Sequence, residues 1–404
     1  MSDEFESAGV SGLDERLLES MLADVHAIVP YQLPGTVDRC ARVMGLSGAA
    51  VYLVDLQQRV LLPLDEQDAP YPVDHSAAGW AYRTLSVRVE EQLDELLVWL
   101  PLVDGAERLG VLGVRAEAMD ATRLRRCRLL AHTLSMVVTS KRTYSDWFVS
   151  RIRTRSMHVH TEMLRALLPP RSIGTTSVTS TGVLEPAYDL GGDAFDHSLT
   201  RNVLHAAIFD SMGHDLASGL TTAVAIACCR NARRSGADLP DMIASVDGAL
   251  GQWLPDQFCT GLVCQLDAET GVLRWINCGH PAPLLIRGQR VLDKALERPP
   301  QPPMGLHGLV GGAGAARTVH EAALQPGDRV LLYTDGVTEA RRGGDEFGLA
   351  RFTDFIIRSA AAGQRPAEIL RLLIHDILDH HGDRLNDDAT ILLIEWRPQD
   401  HLSD

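Results

Sequence analysis

Glu185-Pro-Ala-Tyr-Asp-Leu-Gly-Gly-Asp-Ala-Phe-Asp196, with Asp210-Ser-Met-Gly-His214 just after it, is the stretch on which the fold is decided. Each piece presents aspartate beside glycine. Between them the apolar run Leu204-His-Ala-Ala-Ile-Phe209 reads as a buried strand, which puts Asp210 where that strand leaves the core. An acidic residue at a strand exit, with Gly213 permitting close backbone approach, suits a hard metal ion. The pattern recurs far downstream. Val330-Leu-Leu-Tyr-Thr-Asp335-Gly336 is again a strand ending in Asp-Gly, and Asn386-Asp387-Asp388-Ala-Thr390 precedes the apolar run Ile391-Leu-Leu-Ile394. Acidic residues at four such sites predict one shared cation site.

Carboxylate oxygens with backbone carbonyls and water suit Mg2+ or Mn2+, whereas zinc would call for His or Cys. One such ion orients a ligand. Two ions about 4 Å apart, bridged by a carboxylate, also acidify a shared water and stabilise in-line displacement at phosphorus. That chemistry needs several acidic groups from separate strand ends. A lone Asp-Gly is usually only a turn, so the weight rests on the joint pattern and its order.

The whole chain sets bounds on this expectation. At 404 residues it is too long for one ordinary core, and two or three domains are expected. With 45% hydrophobic and 23% charged residues, the composition is that of a soluble globular protein. The net charge of −15 argues against a nucleic-acid surface and against docking on anionic membranes. The seven cysteines, Cys40, Cys127, Cys228, Cys229, Cys259, Cys264 and Cys278, form no Cys-x-x-Cys pair. A disulfide scaffold and a zinc ribbon are both disfavoured, and a reducing cytoplasm is expected. Cys228-Cys229 lies in an apolar helical run, where packing is its expected role. The N-terminus lacks a signal-like pattern, and no apolar segment approaches the roughly 20 residues of a membrane span.

Residues 1–14 and 399–404 are expected to be flexible tails. Helical periodicity from Leu17 to about Met44 is broken by Pro30 and Pro34. Short strand-like runs follow at 49–54 and 59–63, a short helix at 79–84, and a hairpin from 97–102 to 109–114 around Asp104-Gly-Ala-Glu107. From Asp120 to Leu168 there is no Gly or Pro, so a largely continuous helix is expected. Ile152, Val159, Met163 and Leu167 recur at roughly heptad spacing, which suits a connector pairing with its twin in a homodimer. The alternative is a helix packed on its own domain. Residues 171–398 alternate strands and paired helices with mostly hairpin-like links, which implies an α+β layered fold.

Two resemblances sharpen this reading. Helices bracketing an antiparallel sheet over residues 15–142, with "VWLPLVDGAERLGVLGVRA" as the most similar piece, resemble a GAF sensory domain, and 143–170 then becomes its connector helix. The resemblance implies either a small-molecule ligand there or a module that only dimerises. In the second half, "EPAYDLGGDAFD", "FDSMGHDLASGL", "NCGHPAPLLI", "LLYTDGVTEAR" and "NDDATILLI" together resemble the SpoIIE/RsbU-like branch of the metal-dependent protein phosphatases (PPM superfamily). This implies a β-sandwich flanked by helices over 171–398 and a site for two Mn2+ or Mg2+ ions. It also implies hydrolysis of phosphoserine or phosphothreonine by a metal-activated water, with no phosphoenzyme. Carried over by motif, Asp193, Asp210, Asp335 and Asp387 are the catalytic metal ligands, with Asp210 as the bridging carboxylate. Ser211 offers a backbone carbonyl. Asp388 and Asp196 stand beside them as residues that could substitute for a ligand or support one. The implied substrate is a phosphorylated STAS-domain anti-sigma-factor antagonist.

The pattern departs from the family at Gly213-His214-Asp215, where Gly-His-Gly is usual. Asp215 adds a carboxylate beside the site. His214 and His280 each invite a general-acid reading, and hydrogen bonding that holds a turn is the alternative for both. A haloacid-dehalogenase-type phosphatase needs a nucleophilic Asp two residues before Asp335, where Tyr333 stands. A degenerate phosphatase domain acting as a regulatory binding module, or a sensor whose second half only dimerises, remains as a rival that mutation would separate.

Overall fold

A computed structural model of the chain describes residues 28–92, 94–306, 317–338, 341–342, 345–346, 348–381, 385 and 387–398. The expected tails, the helical segment before residue 28 and Asn386 lie outside the described residues. The chain divides into two compact units, Met1–Arg155 and Ser156–Asp404. No helix among the described residues is long and apolar enough to cross a membrane.

The first unit holds α1 (Leu33–Val43), β1 (Gly48–Val54), β2 (Val60–Pro63), β3 (Tyr71–Pro72), α2 (Ala77–Thr84), β4 (Arg88–Gln92), β5 (Glu95–Asp104), β6 (Glu107–Ala116), α3 (Ala121–Lys141) and α4 (Asp146–Ile152). The strands form one antiparallel sheet in the order β3-β2-β1-β6-β5-β4. Side chains on a strand alternate between faces. Val51 and Leu53 therefore join the apolar layer under α1, α3 and α4, while Tyr52 and Val54 join the layer under α2 with Trp99 and Tyr82. Both faces of the sheet are covered.

The stretch from Asp120 to Leu168, expected to be largely helical, holds three separate helices. α3 stops at Lys141, and the Ser145 hydroxyl caps α4 by accepting from the Trp147 amide. After Ile152 the chain is extended, and Arg153-Thr-Arg-Ser-Met-His158 offers only one apolar side chain to hold another turn. α5 (Val159–Leu167) then restarts. Absence of Gly and Pro does not make a helix where hydroxyl caps and a polar run intervene. Met163 and Leu167 pack with the buried Leu164 on the second unit's own core. The helix packed on its own domain is thus the reading that describes α5.

The second unit continues with β7 (Ser172–Gly174), β8 (Val178–Glu185), β9 (Ala194–Thr200), β10 (Val203–Ser211), α6 (Leu216–Arg234), α7 (Leu239–Trp253), β11 (Cys259–Asp267), β12 (Val272–Cys278), β13 (Leu284–Arg287), β14 (Arg290–Leu292), β15 (His320–Ala323), β16 (Arg329–Tyr333), α8 (Asp335–Thr338), β17 (Arg341–Arg342), β18 (Asp345–Glu346), α9 (Gly348–Ala361), α10 (Pro366–His381) and β19 (Ala389–Trp396). One sheet runs β15-β12-β11-β10-β9 and the other β14-β13-β16-β19-β8-β7. Alternation in the sequence sorts their residues into three layers. Leu204, Ala206 and Ile208 meet Val330, Leu332, Leu392 and Ile394 between the sheets. Ala207 and Phe209 point the other way, onto α6 and α7. Leu331, Tyr333, Ile391 and Leu393 face α9 and α10. Each large aliphatic side chain buried in these layers contributes about 1.5–3 kcal/mol. The fold is the α+β sandwich flanked by helices that the sequence implies.

The topology also gathers strand ends. In one sheet β10 leaves the core at Asp210 beside the start of β9, with Phe209 opposite Ala194. In the other, β16 leaves at Tyr333 beside the start of β19, with Tyr333 opposite Ile391. Asp193, Asp335, Asp387 and Asp388 adjoin those ends.

Candidate metal centre

Asp193 is buried at the turn into β9. Its Oδ2 accepts 2.7 Å hydrogen bonds from the hydroxyls of Thr334 and Thr390, and the Thr390 amide donates to the Thr334 hydroxyl. Two threonines, one at each strand end of the second sheet, thus fix a carboxylate of the first. Burial, then the charges of Asp388 and Asp210, hold this carboxyl well above the usual range against the pull of the two hydroxyls.

Asp388 occupies a cradle of main-chain donors. Its Oδ2 accepts from the amides of Gly191, Gly192 and Asp193 at 2.7, 3.0 and 3.1 Å. Burial raises it to about 6 although the three amides oppose the rise. Its neighbour Asp387 is exposed, and its Oδ1 accepts from the Asp388 amide. The two adjacent aspartates therefore differ in kind: Asp388 is spent on the glycine turn, and Asp387 is not.

Asp210, half-buried at the end of β10, is pushed up to about 7 by burial and then by Asp335, Asp387 and Asp388. Thr260, the residue paired with it across the sheet, opposes that rise. Asp335, at the start of α8, is raised by burial and by Asp387. Two glycines let the pieces close. A Cβ on Gly192 would stand 2.6 Å from the Ser211 carbonyl oxygen, and one on Gly336 would stand 2.0 Å from that of Asp388. The Ser211 carbonyl thus lies against the glycine turn, while its hydroxyl pairs with that of Thr222.

The mutual charge effects tie Asp193, Asp210, Asp335, Asp387 and Asp388 into one acidic group. Neutralising such a group requires cations, and a donor set made only of oxygen selects hard divalent ions such as Mg2+ or Mn2+. Among the described residues, no three His, Cys, Asp or Glu side chains stand close enough together to enclose a single ion. The donors fit such ions in chemical type and in number.

The remaining sequence candidates have other work. Asp196 faces away from the group: its carboxylate is held by Arg230 at 2.7 and 3.0 Å and by Arg233 at 2.9 Å, and Arg230 also donates to the Leu167 carbonyl at the end of α5. It ties β9 to α6. Asp215, the departure from the family pattern, is the N-cap of α6. Its Oδ1 accepts from the amides of Ala217 and Ser218, and the Ser218 hydroxyl accepts from the Asp215 amide. Those amides hold its carboxyl below the usual range. His214 is exposed and lies against Gly191. His280 is buried, and burial lowers it to about 4, so its ring is neutral at pH 7. Asn277 brackets its main chain with two 2.8 Å hydrogen bonds, which fixes the corner between the sheets.

Sequence reasoning missed three parts. Thr161 exchanges hydrogen bonds with the backbone of Leu190, and Arg165 donates to the Ala187 carbonyl, so α5 grips the turn that carries Asp193. No local pattern announces these contacts. The threonine pair around Asp193 was within reach, since Thr-Asp-Gly and Asp-Asp-x-Thr both carry it. So was the cap, because Asp-x-x-Ser is a helix-start signature.

Comparison with known proteins bears on this geometry. Residues 200–397 match the family model for stage II sporulation protein E (SpoIIE). The protein IcfG of Synechocystis sp. is 25% identical over 156 residues, a segment covering 38% of this chain but only 22% of that protein. Among solved structures, the RsbU and RsbW domains of a Mycobacterium tuberculosis protein are 24% identical, with TM-score 0.47, over 56% of this chain and 62% of that one. The SiaA-PP2C domain of Pseudomonas aeruginosa is 19% identical, with TM-score 0.48, over 58% of this chain and 94% of that one. The second half of the chain, over residues 200–397, thus carries a SpoIIE domain.

Proposed function

We propose that the chain is a metal-dependent phosphoserine/phosphothreonine protein phosphatase of a signalling circuit, whose first unit regulates the second. The observation that carries this reading is the convergence of Asp193, Asp210, Asp335 and Asp387 from four strand ends of two sheets into one acidic group, in which the carboxyls of Asp193, Asp210 and Asp335 are shifted upward. Asp193, Asp210, Asp335 and Asp387, with the Ser211 carbonyl, would hold two Mn2+ or Mg2+ ions. When bound, such ions acidify water and neutralise the phosphoryl oxygens.

The chain's own residues do the arranging. Thr334 and Thr390 occupy one oxygen of Asp193 and leave the other for a ligand bond. Asp388, carried over by motif as a residue that could substitute for a ligand or support one, acts in this reading by holding the Gly191-Gly192-Asp193 turn. Asp210, raised to about 7, must shed its proton for the site to load fully. His280, neutral and buried, is not a general acid.

The finer parts of the reading rest on resemblance. The substrate would be a phosphorylated STAS-type anti-sigma-factor antagonist, the first unit a GAF-like sensor that binds a small ligand or dimerises, and the assembly a homodimer. The test is hydrolysis of p-nitrophenyl phosphate and of phosphoserine STAS proteins by the full chain with Mn2+. Turnover that needs added metal and stops with EDTA is expected. Activity indifferent to EDTA overturns the metal reading. Binding of the phosphoprotein without turnover makes the domain a regulatory binding module instead.

A further inference from the structure

The residues that lead into the Gly191-Gly192-Asp193 turn, from Ala187 to Leu190, are held by one face of α5. His158, the residue before the helix, places Nε2 3.5 Å from the Asp189 carboxylate at the surface. Thr161 is fully buried. Its hydroxyl accepts a 3.0 Å hydrogen bond from the Leu190 amide and donates at 3.3 Å to the Leu190 carbonyl. Arg165 Nε donates to the Ala187 carbonyl at 2.6 Å. Positions 158, 161 and 165 are spaced by three and four, so they share one side of the helix. Leu164, three residues on from Thr161, joins Leu190 in the apolar core between the sheets.

Where these contacts fall along the chain gives them their meaning. Asp388 holds the amides of residues 191–193, and the Ser218 and Thr222 hydroxyls hold the carbonyls of Gly191 and Gly192. Two glycines restrict their own backbone little, so the turn takes its path from what grips it and from where Leu190 delivers it. One hydroxyl, that of Thr161, serves both main-chain groups of Leu190. Without it a buried N–H and a buried C=O lose their partner together, and the main chain must shift to find others. Asp193 follows three positions later. We propose that Thr161 and Arg165 are positioning residues of the metal centre, which set the path of the turn and with it the ligand oxygen of Asp193. Thr334 and Thr390 fix one carboxylate oxygen of Asp193 from the second sheet, while α5 fixes the backbone that carries it. Metal affinity then depends on a helix that contributes no ligand. The inference rests on reading Asp193 as a metal ligand. Partners that orient a ligand in this way commonly change metal affinity by about 10–100-fold when removed.

The test is Mn2+ titration of the metal-free full chain by isothermal titration calorimetry, with a melting curve for each variant. Thr161→Val removes the hydroxyl at equal volume and should weaken binding about 10-fold. Thr161→Ser keeps the hydroxyl and should bind as the wild type does. Arg165→Met keeps the stem without the donor and should weaken binding by a smaller factor, part of which Arg165→Lys restores. Asp196→Ala is the control for lost stability, because Asp196 ties β9 to α6 through Arg230 and Arg233. It should melt lower and bind Mn2+ with unchanged affinity. Wild-type affinity in folded Thr161→Val overturns the proposal and leaves the metal centre standing. So does a loss of affinity in Asp196→Ala as large as that in Thr161→Val. If Thr161→Val does not fold, Arg165→Met decides, and wild-type affinity there overturns the proposal. A wild-type chain that binds no Mn2+ overturns the metal reading and the proposal together.

Discussion

Asp388 Oδ2 accepts a 2.7 Å hydrogen bond from the amide of Gly191, 197 positions before it in the chain. With the amides of Gly192 and Asp193 on the same oxygen, this joins the last strand of one sheet to the turn that opens β9 in the other. Asp388→Ala would leave three buried donors without their charged acceptor and should destabilise the protein by at least about 3 kcal/mol. Asp388→Asn keeps an acceptor oxygen and should lose less than half as much. Urea unfolding of the two variants checks this, and equal losses would mean that the amide cradle is not what Asp388 provides.

Asp196→Ala should be destabilising and yet leave metal binding intact. It strands Arg230 and Arg233, both largely buried, and breaking a buried pair from one side costs about 3–5 kcal/mol. Chemical denaturation reads the first effect and Mn2+ calorimetry the second. A large loss of Mn2+ affinity in folded Asp196→Ala would return this residue to the ligand set.

Asp215→Asn should behave as the wild type in both melting and Mn2+ affinity, because the amide oxygen still caps α6. Asp215→Ala should melt lower with unchanged affinity. If both variants bind Mn2+ more weakly to the same extent, the charge of Asp215 serves the site and not the helix.

Mn2+ affinity should rise between pH 6 and pH 8. Asp210 is raised to about 7, so below that pH an entering cation must displace a proton, and above it the carboxylate is already free. The sign is that of a group protonated at low pH in the metal-free fold: affinity grows as pH climbs through its pKa and then levels off. Calorimetric titrations across this range check the slope, and Asp210→Asn should flatten it. Affinity that falls with rising pH would exclude Asp210 as a ligand.

The sandwich and the four strand-end aspartates were legible because both are local signals. Alternating runs such as Leu204–Phe209 and Ile391–Ile394 mark strands, and Asp beside Gly marks where they stop. The division of labour between Asp387 and Asp388 was not legible. The two residues are chemically identical neighbours, and only the path of the chain into β19 decides which one reaches the Gly191 amide. The pairing of Asp196 with Arg230 and Arg233 was not legible for the related reason that these partners lie 34 and 37 residues away on α6. The helix break after Lys141 needed only the capping serine at 145 to be weighed above the absence of proline.

The central claim is that Asp193, Asp210, Asp335 and Asp387 together hold divalent cations. Its most direct test is the stoichiometry of Mn2+ bound by the metal-free full chain, wild type against Asp210→Asn, by isothermal titration calorimetry. The account predicts a pair of ions in the wild type and loss of tight binding in Asp210→Asn, with the fold unchanged by circular dichroism. Equal stoichiometry and affinity in the two proteins would contradict it.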